Sequence, residues 1–192
     1  MSGGSERTLV LIRHAESAPR PGRPASRWGL TARGRQQAME VAGRIAGHRP
    51  GVVVSSPEPK AVETAELIAG VLSLETRVLA GLVEHARETV PFFEDPSAFR
   101  AAVLDMLARP RERVFGEESA AESLDRFGAA LDGAMDAERR SVAAVAHGTV
   151  MSLWLGAVLR TPPAEIWTSL GFCAFAVLGW PSRRLVERDA GA

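Results

Sequence analysis

Three short apolar runs in this chain each break off into polar residues capable of chemistry. Leu9–Ile12 leads into Arg13-His14-Ala15-Glu16-Ser17, Val52–Val54 into Ser55-Ser56-Pro57-Glu58-Pro59-Lys60, and Val142–Ala146 into His147-Gly148-Thr149. Continuous apolar runs this short, without alternation, fit strands buried on both faces. Helical patterns fill the stretches between them. Ala32 to Ala46 carries Ala38, Val41, Ala42 and Ile45 as an apolar stripe, with Thr31 placed to cap its start and Gly47 to end it. Further helices are expected from Pro59 to Ala69, Pro96 to Ala108, Ser119 or Ala120 to Ala137, Val150 to Leu159, and Pro162-Pro163 through Trp167. Thr76 to Leu79 reads as a weak third strand and Gly81 to Pro96 as a long loop. Gly179-Trp180-Pro181-Ser182, between Cys173–Leu178 and Arg184–Glu187, reads as a hairpin turn. Strands alternating with helices predict an α/β fold of three layers, αβα, around a mostly parallel sheet, to which the closing hairpin adds an antiparallel edge strand.

The 192 residues, 46% of them hydrophobic, suffice for one core, and no linker or repeat divides them. The expectation is a single domain over 1–192, with 1–7 as a disordered tail. Basic and acidic residues balance at 23 each, so no overall field points to nucleic acid or a membrane surface. An anion site has to be built locally. Cys173 is the only cysteine, which leaves no intrachain disulfide and fits a reducing compartment. The first apolar run is too short for a signal segment, and no later stretch reaches membrane length without charge, so a cytoplasmic protein is expected.

Parallel α/β sheets bind ligands at the carboxyl ends of their strands. A lone histidine in such a place is more often a hydrogen-bonding loop residue than a nucleophile. Here His14 and His147 both follow buried strands, and two imidazoles at one sheet edge can converge. Arg13 beside His14 offers a planar donor fork that fits phosphate. No dense His/Cys/Asp cluster argues for a metal.

Leu11-Ile12-Arg13-His14-Ala15-Glu16 resembles the arginine-histidine-glycine motif that opens the histidine phosphatases and the cofactor-dependent phosphoglycerate mutases. Leu30-Thr31, Gly34 and Gln37-Ala38 are similar to that superfamily's next helix start. Ser55-Ser56-Pro57, Lys60-Ala61 and Thr64-Ala65-Glu66 resemble its second phosphate-binding segment. Leu82-Val83-Glu84 resembles the segment bearing its acid, and Gly116-Glu117-Glu118-Ser119 with Glu122 its glycine-glutamate-serine helix start. Val145-Ala146-His147-Gly148 resembles its second histidine motif. The matches stand in family order between about residues 8 and 160.

The resemblance implies a phosphoglycerate mutase-like fold and a phosphomonoester hydrolase that works through a phosphohistidine on His14. His14, Glu84 and His147 would be catalytic. Arg13, Lys60, His147, Ser17 and Gly148 would bind phosphate. No metal and no cofactor are expected, and the partner would be a small phosphorylated substrate or a phosphoprotein. His147 would serve best when protonated. Two alternatives stay open: a mutase-type phosphotransferase, or a member that binds phosphorylated ligands with weak catalysis. Substrate choice would lie in the Ala18–Gly29 and His85–Phe99 loops. There, Arg20, Arg23 and Arg27 either meet an anionic substrate tail or are solvated charges, and Phe92-Phe93 either contact substrate or anchor the loop. Thr149 would cap the following helix, and His85 would lie on the loop surface.

The chain departs from the family pattern in three places. Ala15 stands for a glycine, which matters only if the backbone needs positive φ. The segment after Glu84 lacks the usual glycine-x-tryptophan-glutamate-glycine run, which leaves Glu88, Glu94 and Asp95 as other carboxylates for the acid. Lys60, the only lysine, stands for a second arginine and so keeps the charge but loses the bidentate fork. Lys60→Arg is therefore expected to raise kcat/KM on a simple phosphate ester; unchanged or lower activity would remove Lys60 from the phosphate ligands.

Overall fold

Leu9, Val10, Leu11 and Ile12 have no exposed surface and form the middle of β1 (Arg7–Arg13). The structure, a computed structural model, describes residues 7–191. The remaining strands among these residues are β2 (Pro50–Ser55), β3 (Thr76–Val78), β4 (Ser141–Ala146), β5 (Phe175–Trp180) and β6 (Leu185–Asp189). The helices are α1 (Ala32–Ile45), α2 (Pro59–Leu72), α3 (Pro96–Ala108), α4 (Ala120–Ala137), α5 (Gly148–Leu159) and α6 (Pro163–Ser169). One sheet takes the order β3-β2-β4-β1-β5-β6. Its first four strands run parallel, β5 pairs antiparallel with β1, and β6 antiparallel with β5.

Alternate residues of each central strand feed two cores. Leu9 and Leu11 pack with Phe127 of α4, Met151 of α5 and Ile166 of α6. Val10 and Ile12 pack with Val41 and Ile45 of α1 and Ile68 of α2. This is the expected three-layer α/β arrangement, with helices on both faces of a mostly parallel sheet. A satellite cluster gathers Val103, Met106 and Phe115 around α3. No helix among the described residues is long and apolar enough to cross a membrane.

Two expectations need correction. Of the disordered tail expected over 1–7, residues 1–6 lie outside the described residues, but Arg7 is already in β1, opposite Trp180, and donates to the carbonyls of Met135 and Glu138. The helix after β4 begins at Gly148 rather than Val150, because His147 takes the extended N-cap conformation and the glycine enters the first turn. Thr149 is therefore inside α5 and does not cap it. The antiparallel edge expected from the closing hairpin is present, with β5 against β1 and β6 against β5.

The start of α1 holds the chain that leaves β1. Thr31 Oγ1 accepts from Gly34 N–H at 2.9 Å, the N-cap expected of it. Its own N–H donates to the Glu16 carbonyl at 3.0 Å, and its hydroxyl to Glu16 Oε1 at 2.8 Å. Gln37 Oε1 accepts from Glu16 N–H at 3.0 Å. Glu16 is thus bound through its amide, carbonyl and carboxylate to one helix end. Gly34 lets the helix come this close, because a Cβ there would overlap the Glu16 carbonyl oxygen. Gly34→Ala should accordingly destabilise the protein by about 1–3 kcal/mol. Gly43→Ala, in the same helix with no neighbour near the added carbon, should stabilise by about 0.5–1 kcal/mol. Urea unfolding of both variants checks the pair; similar effects would mean that the close approach does not govern stability.

Candidate active site

The β1–β4 ladder continues one residue past its apolar pairs. His14 N–H donates to the Ala146 carbonyl at 2.9 Å, so the residues that follow β1 and β4 emerge side by side. The His14 and His147 rings meet at 5.2 Å between centroids, tilted by 59°. Both are buried, His147 completely. His14 Nδ1 lies 2.7 Å from the Ala15 carbonyl. A carbonyl only accepts, so Nδ1 carries the proton and Nε2 keeps its lone pair. Ala15 does not have a positive φ, so alanine fits this backbone without strain. Its amide donates to Thr64 Oγ1 at 3.1 Å, which ties the turn to α2.

Burial lowers the His14 pKa well below 6.5, and the His147 ring, Lys60 and Arg13 add to the effect. Burial and Lys60 likewise lower that of His147, against the opposing pull of Glu84. Both imidazoles are neutral near pH 7 in the free protein. The protonated His147 expected from the sequence is therefore not the resting state. Neither ring nitrogen of His147 has a hydrogen-bond partner. Arg13 Nε is likewise buried without one. The Arg13 guanidinium donates to the Leu170 carbonyl and lies over Phe172 at 4.7 Å. A Cβ on Gly148 would sit 3.3 Å from Arg13 Nε, so the glycine leaves the arginine room beside the start of α5. Buried, unpartnered donors of this kind mark a place where a polar ligand completes the bonding.

Two carboxylates enter the same space. Glu84 Oε2 accepts from Thr149 N–H at 3.1 Å, and its Oε1 from Val150 N–H at 3.2 Å and His85 N–H at 2.9 Å. It thus sits where helix α5 attracts anions. Desolvation pushes its pKa up, but His147, Arg87 and the bond from His85 outweigh this and the net shift is downward. Glu58, which sequence reasoning passed over, is the second. Its Oε2 takes Lys60 Nζ at 2.5 Å, and its Oε1 takes Glu84 N–H at 2.8 Å and lies 3.4 Å from His147 Nε2. The only hint of it in the sequence is an acid two residues before the single lysine. Lys60 Nζ also donates to the Ala25 carbonyl at 2.6 Å. An ammonium has three hydrogens, so one remains for a ligand.

With this geometry in view, the comparisons decide the family. The sequence matches the histidine phosphatase superfamily (branch 1) over residues 9–188. The chain belongs to the histidine phosphatase superfamily. A mycobacterial glucosyl-3-phosphoglycerate phosphatase shares its fold at TM-score 0.74 and 22% identity, over 95% of this chain and 97% of that one. Bacillus stearothermophilus YhfR gives TM-score 0.76 at 20% identity, over 97% and 98% of the two chains. A phosphoserine phosphatase from Entamoeba histolytica gives 0.72 at 24% identity, over 95% and 96%. Among curated proteins, no sequence matches this chain.

In this member of the superfamily, His14, His147, Arg13, Gly148, Lys60 and Glu84 come together in one region. The backbone of Ser17 pairs with Leu30 in an isolated antiparallel bridge that closes the neck of the 18–29 loop. His85 is a correction. It is buried, with Nδ1 2.8 Å from Ser123 Oγ and Nε2 2.5 Å from the Phe115 carbonyl, and so pins the loop that presents Glu84. Arg126 does the same from α4, donating to the carbonyls of Gly81, Val83 and Glu84. Cys173 is no rival nucleophile, since burial pushes its thiol up to about 12.

The neutral imidazoles give the fold a pH signature. Each histidine binds its proton more readily unfolded than folded, so stability holds above pH 6.5 and falls as pH drops below it. Each contributes a slope of up to about 1.4 kcal/mol per pH unit in that window. His147→Asn should flatten the loss of stability between pH 6.5 and 5 in chemical denaturation. An unchanged slope would mean that His147 is not held neutral.

Proposed function

We propose that this protein is a phosphomonoester hydrolase that acts through a phosphohistidine on His14, without a metal ion. The observation that carries the reading is the buried imidazole pair. His14 is fixed with its Nε2 lone pair free, and it faces a His147 whose two nitrogens are unpartnered. Phosphatase relatives in the superfamily support the same reading.

His14 Nε2 attacks phosphorus in line, the P–N bond forms, and the bond to the ester oxygen breaks. The Ala15 carbonyl holds the Nδ1 proton as the ring gains positive charge. Arg13, the third hydrogen of Lys60 and a ring N–H of His147 meet the equatorial oxygens, where charge spreads during transfer. Fixed cations supply the charge stabilisation that a metal gives elsewhere. Glu84 carries the proton. In the free protein it is held ionised, but a phosphate dianion beside it raises its pKa and lets it take up a proton. It passes that proton to the leaving oxygen. The carboxylate then accepts one from water as the water oxygen attacks phosphorus and the P–N bond breaks. Glu58 positions this group by holding Lys60, the Glu84 amide and the edge of His147. Arg13, Gly148 and Ser17 keep the phosphate-binding roles expected of them, and the Ser17 backbone also closes the loop neck. Burial of His14 favours a small phosphorylated molecule over a phosphoprotein.

Hydrolysis of p-nitrophenyl phosphate by the purified protein should proceed without a bisphosphate primer, and His14→Ala should lower kcat by roughly 10³-fold or more. A rapid quench should trap an acid-labile, base-stable phosphoryl group on the wild type and none on the variant. Full activity in His14→Ala would sink the assignment.

A further inference from the structure

A cavity of about 470 Å³ lies between the 18–29 loop and the segment from Arg87 to Phe99. Two of its lining residues reach the catalytic groups. The Ala25 carbonyl accepts from Lys60 Nζ, and the charge of Arg87 acts on both Glu84 and His147. Through the Ala25 carbonyl the cavity adjoins Lys60, the cation proposed to meet the phosphoryl group, so the rest of an ester can extend into it. Its volume is within the range of small-molecule pockets, about 300–1,000 Å³.

The walls are aromatic. Trp28 and Phe92 meet edge to face at 6.1 Å between ring centroids. The Trp28 indole N–H is already given to the Arg23 carbonyl at 3.1 Å, so this residue offers its ring alone. Phe93 packs against Phe99 and Phe115 at 5.8 and 6.0 Å and anchors the loop. Its neighbour Phe92 is 44% exposed although it lines the same cavity. Arg87 lies over the Phe99 and Phe115 rings at 5.2 and 5.7 Å, with Nη1 buried and unpartnered. Arg23, Glu88 and Thr89 also line the cavity, but Arg87 Nη1 is the buried donor there that lacks a partner.

Both walls are built before any ligand arrives. The Glu117 carboxylate accepts from the amides of Glu88 and Thr89 at 2.8 and 2.9 Å and from the Thr89 hydroxyl. Gly116, at φ +107°, brings that carboxylate close, because a Cβ there would overlap the Ala86 carbonyl. On the other side, Ala18 N–H bonds to the Gly29 carbonyl at 2.9 Å across the loop neck. A preformed apolar pocket loses little order when it is filled.

We propose that this cavity receives the leaving group of the substrate, and that this group carries a flat apolar ring system with one hydrogen-bond acceptor for Arg87. The assignment rests on the phosphatase reading for the word "leaving group", and on the cavity alone for the ring. It sets the substrate class apart from small hydrophilic esters such as phosphoserine. Ring burial should be worth roughly tenfold or more in affinity.

The test uses 2-naphthylmethylphosphonate and methylphosphonate, neither of which can be hydrolysed at its P–C bond, as ligands in calorimetry with the wild-type protein. The naphthyl compound should bind at least about tenfold tighter, and Phe92→Ala and Trp28→Ala should each bring the ratio toward one. Equal affinities, or a ratio that survives in both variants, overturn the proposal. A second arm compares kcat/KM for 2-naphthylmethyl phosphate and ethyl phosphate, both esters of simple primary alcohols. Hydrolysis of both at the same kcat/KM leaves the phosphatase reading standing and removes the ring pocket. Ring-selective phosphonate binding without hydrolysis of any ester removes the phosphatase reading, and the leaving-group role with it, while the ring site stands.

Discussion

The alignment of β1 against β4 at their polar ends is the constraint on which the site depends. Leu9–Ile12 and Val142–Ala146 are apolar on both faces, so hydrophobicity alone would tolerate a slip between them. The alignment is fixed by polar groups. Thr8 N–H reaches Ser141 Oγ at 3.0 Å at one end. At the other end His14 N–H reaches the Ala146 carbonyl, and from β2 Ser56 N–H reaches Val145 at 3.1 Å. A shift of one residue would break these bonds and turn one imidazole to the opposite face of the sheet. Glu16 then keeps the chain from straying after β1, because Thr31 and Gln37 of α1 hold it on three sides.

Charge around the rings is arranged to tolerate burial without a ligand. Arg13 and Lys60 are offset by Glu58 and Glu84, and both histidines stay neutral. Each group that lowers the pKa of His14 also draws in an anion. A phosphate dianion entering this set adds negative charge beside Glu84 and His147, which raises the proton affinity of both. On the mechanism proposed above, the ligand would therefore bring about the protonation that its own turnover requires. His14 would be protected from the same fate, because phosphorus would take up the Nε2 lone pair that a proton would occupy.

The fold and the histidine pair were legible in the sequence because both are written in local pattern. Unbroken apolar runs gave the strands, Thr31 and Ser119 marked their helix starts, and each of the two histidines followed a strand by one step. The capping box of Ser119 with Glu122 is the physical content of the glycine-glutamate-serine likeness. What pattern could not convey was how long-range contacts use polar residues. Glu58 looked like an ordinary helix-start acid, and only the fold shows it touching Lys60 and His147. His85 looked like a loop residue because nothing nearby predicts that Ser123 and Phe115, some 30 residues on, complete its bonding. Ser17 was adjacent to the nucleophile in sequence, yet the chain turns there to bridge Leu30.

Glu84 illustrates how far such mounting extends. Its segment is irregular, so no ladder or helix fixes it. Arg126 binds the carbonyls of Gly81, Val83 and Glu84 with one guanidinium, and also pairs with Glu118 at 2.6 Å. Glu118 in turn accepts from Ala86 N–H at 2.9 Å, and its neighbour Glu117 secures the next turn of the same loop. The mount for the proton carrier is therefore continuous with the mount for the aromatic wall that follows it. A push on Arg87 strains the segment bearing Glu84, since its neighbours Ala86 and Glu88 are both bonded to the 116–119 turn. On the mechanism proposed above, recognition of the organic part of a substrate and delivery of a proton to its ester oxygen would be coupled through one rigid support.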